Sequence, residues 1–386
     1  MDGKLKNIIK RILISSYYFF KKKDNNLIVI SSYRNEKFSF YSRVFFEYLI
    51  SKDSEFEVLF VISEQSTREK LKNKFGDYFI SFDSFSDLQK IYSAKFWVVS
   101  TKSICMLPTS IFNREIINVW HGFPLKSIAL KDKYQSSFKK ILYKYYYSLS
   151  NKTIVSQSEK VSPIYSESFC VDRSNILALG SLIGEMFGRS LDKEVNDYVE
   201  KLTAGYKNVL YAPTYRDGGV TKYFPFEDFD YKNLCEFLER ENIRIFIRPH
   251  HLDNGFQDYI DNNNIFLLSS EKVPEINFYL HKFDGLLTDY SSIIFDYQLT
   301  NGEIGLIPYD LDNYIKDRGM NFEYQECVPG KRLKNHSDLL ELLRLVSSFM
   351  GRNKDCQIET EDDYISLSAS KQSCTNLLKY IRTKKQ

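Results

Sequence analysis

The sequence is short of the features that would place it in a specialised class. Its net charge is only +3 over 386 residues, so the field of the whole chain does not call for a nucleic-acid partner, and none is expected. The six cysteines, Cys105, Cys170, Cys235, Cys327, Cys356 and Cys374, are far apart and form no Cys-x-x-Cys pair. That spacing argues against a zinc site or a disulfide framework and reads as the reduced thiols of a cytosolic protein. No run approaches the ~18 apolar residues of a membrane span. The stretch Ile12 to Phe20 is too short, is broken by Ser15 and Ser16, and runs into Lys21, Lys22 and Lys23 without a small-residue cleavage site. It is a poor signal peptide, and a cytoplasmic location is expected. There is no short-period repeat and no low-complexity tract. What is present is ordinary for a soluble globular chain, 43% hydrophobic and 27% charged residues, apart from a wealth of aromatics, 28 Tyr and 30 Phe.

The length favours two domains. Short apolar runs rich in Val, Ile and Phe alternate with stretches of helical length. Leu27–Ile30, Val58–Ile62, Phe96–Val99, Ile116–Val119 and Thr153–Val155 read as strands, with helices over Ser42–Ser51 and Ser66–Phe75. The rhythm restarts at Val209–Tyr211 and continues through Ile243–Ile247, Ile265–Leu268, Gly285–Leu287 and Ile304–Ile307. Two βα series predict two parallel-sheet, Rossmann-like α/β domains. Their expected extents are 24–185 and 186–367, preceded by a basic helix over 1–23 and followed by a helix over 368–386.

Two segments combine lysine with apolar residues. Wound as a helix, the N-terminus places Leu5, Ile8, Ile9, Ile12, Phe19 and Phe20 on one arc and Lys4, Lys6, Lys10 and Arg11 largely on the other. Such a helix either lies in an anionic headgroup layer or packs on its own domain with a solvated basic face. Lys131 to Lys152 interleaves Lys131, Lys133, Lys139, Lys140 and Lys144 with Tyr134, Phe138, Tyr143, Tyr145, Tyr146 and Tyr147. It reads as a membrane-facing helix or as an ordinary helix with a buried Tyr face.

Five segments follow apolar strands, where open α/β sheets bind ligands. In Trp120-His121-Gly122-Phe123-Pro124-Leu125-Lys126 a turn fixes an imidazole that titrates near neutrality and can take a proton from a hydroxyl. In Tyr211-Ala212-Pro213-Thr214-Tyr215-Arg216-Asp217 a guanidinium could hold a phosphate, or could close a surface turn with Asp217. Arg248-Pro249-His250-His251 ends a strand with a cationic pair able to neutralise a leaving diphosphate, and His250 is the better candidate of the two histidines. Leu287-Thr288-Asp289-Tyr290-Ser291-Ser292 opens a helix and offers hydroxyls and backbone N–H groups as a phosphate cradle, or simply an N-cap. The fifth segment runs from Tyr309-Asp310-Leu311-Asp312 through Arg318-Gly319 to Pro329-Gly330. Its carboxylates fit no metal loop and read as a solvated acidic loop.

Taken in order, these five segments resemble the CDP-glycerol:glycerophosphate glycerophosphotransferase family, the teichoic acid primases and polymerases of Gram-positive bacteria with relatives in capsule synthesis. The resemblance spans Trp120 to Gly330. It implies a GT-B-like fold, two Rossmann-like domains with sheets facing across a central cleft, and a last helix returning to the first domain. It implies transfer of glycerol phosphate or ribitol phosphate from CDP-glycerol or CDP-ribitol to a hydroxyl of a lipid-linked or capsular polymer at the inner membrane leaflet. Carried over by position, His121 is the base and His250 its catalytic counterpart on the donor side. Arg248, Thr288, Ser291, Ser292, Thr214 and Arg216 would hold the donor phosphates. Asp289, Asp296 and Pro249 would meet the nucleotide or polyol, and Gly122 and Lys126 the acceptor. No metal or other cofactor is expected, since the CDP-linked compound is a substrate. The resembling proteins carry Gly-x-Pro-Arg-x-Asp near the hinge, where this chain has Gly180-Ser181-Leu182-Ile183-Gly184-Glu185. The altered loop leaves open a GT-B glycosyltransferase using a nucleotide sugar, and a non-catalytic membrane scaffold stands as a third reading.

Overall fold

The structure is a computed structural model that describes residues 3–52, 55–105, 107–133, 136–216, 221–250, 253, 255–260, 263–349 and 364–385. Tyr134, Asp217, His251 and Cys356 lie outside the described residues. The chain divides into two compact units. The first comprises Met1–Gly122, Ile128–Met186 and Glu361–Gln386, the second Phe123–Ser127 and Phe187–Thr360. The stretch Phe123–Ser127, which the sequence groups with residues 24–185, therefore packs with the second unit.

In the first unit, strands Asp24–Ser31 (β1), Glu57–Val61 (β2), Phe79–Ile80 (β3), Ala94–Val99 (β4), Glu115–Asn118 (β5), Thr153–Ser156 (β6) and Ile176–Ala178 (β7) form one sheet in the order β3-β2-β1-β4-β5-β6-β7. Every pairing within it is parallel. Leu27, Val29, Val61, Trp97 and Val99 are buried on one face of the sheet with Leu88, Ile91 and Tyr92 of helix Phe85–Ser93. Parallel sheets buried on both faces need such continuous apolar runs, which is why β1 reads Leu-Ile-Val-Ile.

The second unit repeats the plan. Lys207–Tyr211 (β8), Ile243–Ile247 (β9), Ile265–Leu267 (β10), Gly285–Thr288 (β11), Glu303–Leu306 (β12) and Lys331–Arg332 (β13) are ordered β10-β9-β8-β11-β12-β13, again all parallel. In each unit the order runs outward in both directions from its first strand, so a switch point lies between β1 and β4 and another between β8 and β11. In doubly wound sheets ligands bind outside the carboxyl ends of the strands at such a point. The ten strands read from the sequence are all present, while β3, β7 and β13 are additional.

Helix Gly3–Phe19 docks on the first unit by the face that carries Arg11, Ile14, Ser15 and Tyr18. Arg11 reaches Cys105 Sγ at 3.5 Å and stacks on Phe82, Lys10 donates to the Asp83 carbonyl, and Ser15 pairs with Thr109 at 2.6 Å. Ile8, Ile9, Ile12, Leu13, Tyr17 and Phe20 are left exposed. The reading of a helix packed on its own domain with a solvated basic face is thus corrected in part: the helix is packed, Arg11 and Ile14 face the protein, and the solvated face of its described side chains carries Ile8, Ile9, Ile12 and Leu13. Helix Ser137–Ser150 buries Tyr147 against Phe169 and leaves a stripe of Phe138, Ile141, Leu142 and Tyr145 exposed at helical spacing.

The loop that departs from the resembling pattern has a local reason. Gly180 has φ +81°, and a Cβ there would sit 2.4 Å from the Ser370 backbone N. Ser181 N–H donates to Ser370 Oγ at 2.9 Å, Ser373 Oγ donates to the Ser181 carbonyl at 3.0 Å, and Glu185 accepts from both Thr375 N–H and its hydroxyl. The loop is the seat on which the C-terminal segment lies, and helix Ser373–Thr383 is secured further by the Arg382–Glu55 fork at 2.7 and 2.8 Å. Gly180→Ala should destabilise the protein by about 2 kcal/mol or more, from left-handed strain plus the clash. Urea denaturation checks this; an unchanged midpoint would show that the C-terminal segment does not need the close approach.

Candidate active site

His121 follows β5 in the first unit, and the chain there is bent by two left-handed residues, Trp120 at φ +56° and Gly122 at φ +133°. Asn118 sets the bend: its Oδ1 accepts Trp120 N–H at 2.9 Å while its Nδ2 donates to Asn151 Oδ1 at 2.9 Å. The Gly122 carbonyl accepts from Gln157 and from the Tyr165 hydroxyl, both at 3.3 Å. Gly122 is thereby a turn residue, with its backbone spoken for. The imidazole lies against Trp120, with ring centroids 4.0 Å apart, and near Phe40 at 5.2 Å.

One hydrogen bond settles the tautomer. His121 Nδ1 lies 3.0 Å from the carbonyl oxygen of Ser100, just past β4. A carbonyl only accepts, so Nδ1 carries the proton and, in the neutral ring, Nε2 presents a lone pair. Burial by surrounding protein lowers the His121 pKa below 6.5, with the Ser100 bond opposing. The residue nonetheless keeps exposed surface. A neutral, oriented imidazole whose lone pair sits on Nε2 is what a general base requires.

In the second unit a cavity of 470 Å³ opens at the switch point. Ala212, Pro213, Thr214 and Tyr215 line it from the loop after β8, Arg248, Pro249 and His250 from the loop after β9, and Ser291, Ser292 and Ile293 from the loop after β11. Lys126, Tyr314 and Arg318 complete the wall. Lys126 arrives on the Phe123–Ser127 segment, which is held by Asn321 through the Pro124 and Lys126 carbonyls at 2.9 and 2.7 Å and by a Phe123–Phe295 stack at 3.5 Å. The structure therefore sets Lys126, assigned to the acceptor side by position, among the donor-side candidates.

Among the described residues the cavity wall carries Lys126, Arg248 and Arg318 and no carboxylate. Arg248 Nη1 is buried with no hydrogen-bond partner among the described residues, and so is Thr214 Oγ1. Arg248 Nη2 makes only a long contact, 3.4 Å, to the Pro274 carbonyl. Burial pushes the Arg248 pKa down to about 10, with Glu275 opposing, so the guanidinium remains charged at neutral pH. A buried N–H of a cation that no acceptor meets is costly unless a ligand supplies one. His250 stacks on Tyr215 at 4.7 Å and 27° between planes, which fixes its ring at the cavity. Ser291 Oγ accepts Ile293 N–H at 3.4 Å, one residue before the Ser292 cap position, whose own side chain makes no capping bond.

Four residues read as ligand contacts have other work. Arg216 donates to Asp310 at 2.7 and 2.8 Å, to Asp289 at 2.8 Å, and to the Thr214 carbonyl. Burial alone would lower its pKa, but Asp310 and Asp289 raise it above the ordinary arginine value. Asp289 also accepts Thr214 N–H at 2.8 Å and Tyr290 N–H at 2.6 Å. Thr288 spends its hydroxyl on the Ala212 carbonyl at 2.6 Å, and Asp296 accepts from Asn277 at 2.6 Å. None of the four lines the cavity. Arg216, Asp289 and Asp310 instead brace the loops after β8, β11 and β12 against one another. Asp310, read as part of a solvated acidic loop, is the anchor of that brace.

Sequence reasoning missed Tyr215, Tyr314 and Arg318. Arg318 carried a signal, a cation beside the turn-forming Gly319; the two tyrosines were hidden among 28.

Two doubly wound parallel α/β units, one presenting an oriented imidazole and the other a cationic cavity at its switch point, define a GT-B-like fold. A sequence model of the family described as CDP-Glycerol:Poly(glycerophosphate) glycerophosphotransferase matches residues 13–381. The chain belongs to that family. It is 27% identical over 240 residues to the teichoic acid ribitol-phosphate polymerase TarL of Staphylococcus aureus, covering 60% of this chain and 42% of that protein. It is 26% identical over 308 residues to a teichoic acid glycerol-phosphate transferase of the same species, covering 74% and 76%. The chain spans between about a third and just over half of the length of the ribitol-phosphate polymerases it matches, 42%, 32% and 56%. A structure of the wall teichoic acid polymerase TagF superposes with a TM-score of 0.73 at 20% identity, covering 99% of this chain and 97% of that one, and shares the fold.

Proposed function

We propose that this protein transfers glycerol phosphate or ribitol phosphate from CDP-glycerol or CDP-ribitol to a hydroxyl of a lipid-linked or capsular polymer. The carrying observation is the buried Nη1 of Arg248, unpartnered among the described residues, in a cavity that these residues line with cations and hydroxyls and with no carboxylate. A diphosphate is the part of such a donor that meets this chemistry, and family membership supports the rest. In the reaction the acceptor oxygen bonds to the β-phosphorus, the bond from that phosphorus to the bridging oxygen breaks, and CMP departs with the electron pair. His121 Nε2 takes the hydroxyl proton. Arg248, Lys126 and His250 meet the charge that develops on the diphosphate, as positioning and electrostatics dominate phosphoryl transfer. The reading carries no metal, because these cations supply the neutralising charge.

The acceptor's lipid link places the enzyme at a membrane surface as a peripheral protein on the inner leaflet. The exposed apolar residues of helices Gly3–Phe19 and Ser137–Ser150, the latter flanked by Lys139, Lys140 and Lys144, support this reading. Among the described residues no helix is long and apolar enough to cross a membrane. The test is a donor screen with purified protein and a teichoic acid or capsular acceptor. CMP release from CDP-glycerol or CDP-ribitol is expected; turnover of nucleotide sugars with neither CDP-polyol consumed would overturn the proposal.

A further inference from the structure

A second cationic cavity lies in the first unit, at the edge of the sheet opposite His121. It has a volume of 580 Å³ and is lined by Lys21, Lys22, Lys23 and Lys95 together with Asn25 and Asn113. These residues stand at the amino ends of β1, β4 and β5, whereas His121 follows the carboxyl end of β5. The site is thus distinct from the base, and nothing in the proposed reaction uses it.

The cavity has a built floor. Lys23 is only 6% exposed and donates to the Tyr18 and Tyr92 carbonyls. Beside it Arg114, 2% exposed, donates to the Ile91 and Tyr92 carbonyls at 3.1 and 2.9 Å and lies on the Trp97 ring at 3.8 Å. No carboxylate bonds either cation among the described residues, and Arg114 Nε is buried without a hydrogen-bond partner. Burial first, and then Arg114, push the Lys23 pKa down to about 8, and burial brings Arg114 to about 9. Of the acids nearby, Asp24 turns its Oδ1 to Asn26 N–H, and Glu115 favours the charged form of Lys152. The carbonyl ends of helix Gly3–Phe19 account for one lysine there through the helix dipole, but not for four.

Four lysines lining the space, with the buried Arg114 near Lys23 behind them and no acid in the lining among the described residues, describe a receptor for a compact polyanion. We infer that this cavity binds a phosphate group, and that the phosphate is the headgroup of an anionic lipid. The second half follows from the rim. Phe19 and Phe20 line the mouth, Phe20 is 85% exposed, and the apolar face of helix Gly3–Phe19 leads up to it. Apolar side chains beside a phosphate-sized cationic pocket fit acyl chains and a headgroup together. The lipid half rests on the proposed membrane association; the phosphate half does not.

The experiment compares the full chain with a Lys21→Glu/Lys22→Glu/Lys95→Glu variant. A Lys193→Glu/Lys201→Glu/Lys232→Glu variant, altered at exposed lysines of the second unit, controls for net charge. Binding is measured to phosphatidylcholine vesicles with and without phosphatidylglycerol, and to soluble glycerol phosphate by calorimetry. At about fivefold per lysine, the cavity variant should lose about a hundredfold in affinity for the anionic vesicles, while the control loses little. CMP release with a soluble acceptor should be unchanged in the cavity variant. An equal loss in both variants, or none in either, would overturn the site. Wild-type protein that binds no vesicle but binds glycerol phosphate, with binding lost only in the cavity variant, would sustain the phosphate site and overturn the lipid as its source and the membrane reading with it. Binding to neither would overturn both halves.

Discussion

His121→Ala is expected to lower kcat by about a thousandfold with little change in the KM for the CDP-linked donor. A positioned general base contributes roughly 10²–10⁴-fold, and that is the role proposed for His121. Its Nδ1 proton is committed to the Ser100 carbonyl at 3.0 Å, so Nε2 is the basic atom. The donor candidates lie in the other unit, so donor affinity should survive the substitution. The pH profile provides the sharper readout. Burial lowers the pKa of His121 below 6.5, so the neutral, active form predominates at pH 7. Activity should fall as the pH drops through that lowered value, placing the acid limb of kcat below about 6.5. The limb should vanish in the variant, whose residual activity depends on hydroxide and solvent instead. A variant that keeps wild-type turnover, or the same acid limb, would remove His121 from the reaction.

The fold was legible where burial leaves a pattern. The central strands are covered on both faces, and runs such as Leu27–Ile30 and Ile243–Ile247 can hardly be anything else. The three strands that escaped notice, β3, β7 and β13, all include a sheet edge position and are two or three residues long; β13 is Lys331-Arg332. A lysine–arginine pair carries no strand signal, because its membership is decided by the neighbouring β12 alone. The site was legible in part for a similar reason. Strand ends are fixed by the sheet, so Arg248, His250, Thr214, Ser291 and Ser292 could be placed at a cavity from their positions after strands. What sequence could not supply was direction. Whether Arg216 faces a ligand or a carboxylate depends on Asp310, 94 residues away, and on Asp289, 73 residues away. The helix Gly3–Phe19 shows the same limit: periodicity separates its two faces but does not say which one the protein covers.

Arg248 and Arg216 differ in what surrounds their charge, and their substitutions should diverge accordingly. Arg248→Met removes a partly buried cation whose Nη1 has no acceptor among the described residues, so the ligand-free protein should keep its thermal midpoint or gain. Turnover should fall by about 10²–10³-fold, the cost of deleting a preorganised donor at a developing charge. Stabilisation by the donor should be lost with it. At a donor concentration 100 times Kd the wild type gains about 2.7 kcal/mol, and the variant should gain little. Arg216→Met should do the reverse. It strands Asp289, 2% exposed, and Asp310 without their shared counter-charge, at a cost of about 3–5 kcal/mol. Activity should then fall in proportion to the folded fraction and should recover at low temperature or under a stabilising osmolyte. Thermal melts with and without CDP-glycerol, beside CMP-release rates, separate the two. A stability loss in Arg248→Met matching that of Arg216→Met would mean that the cavity cation is structural. The diphosphate would then have to be held elsewhere. The distinction is physical: a charge satisfied by its own protein holds the loops in place, and a charge left unsatisfied is available to a ligand.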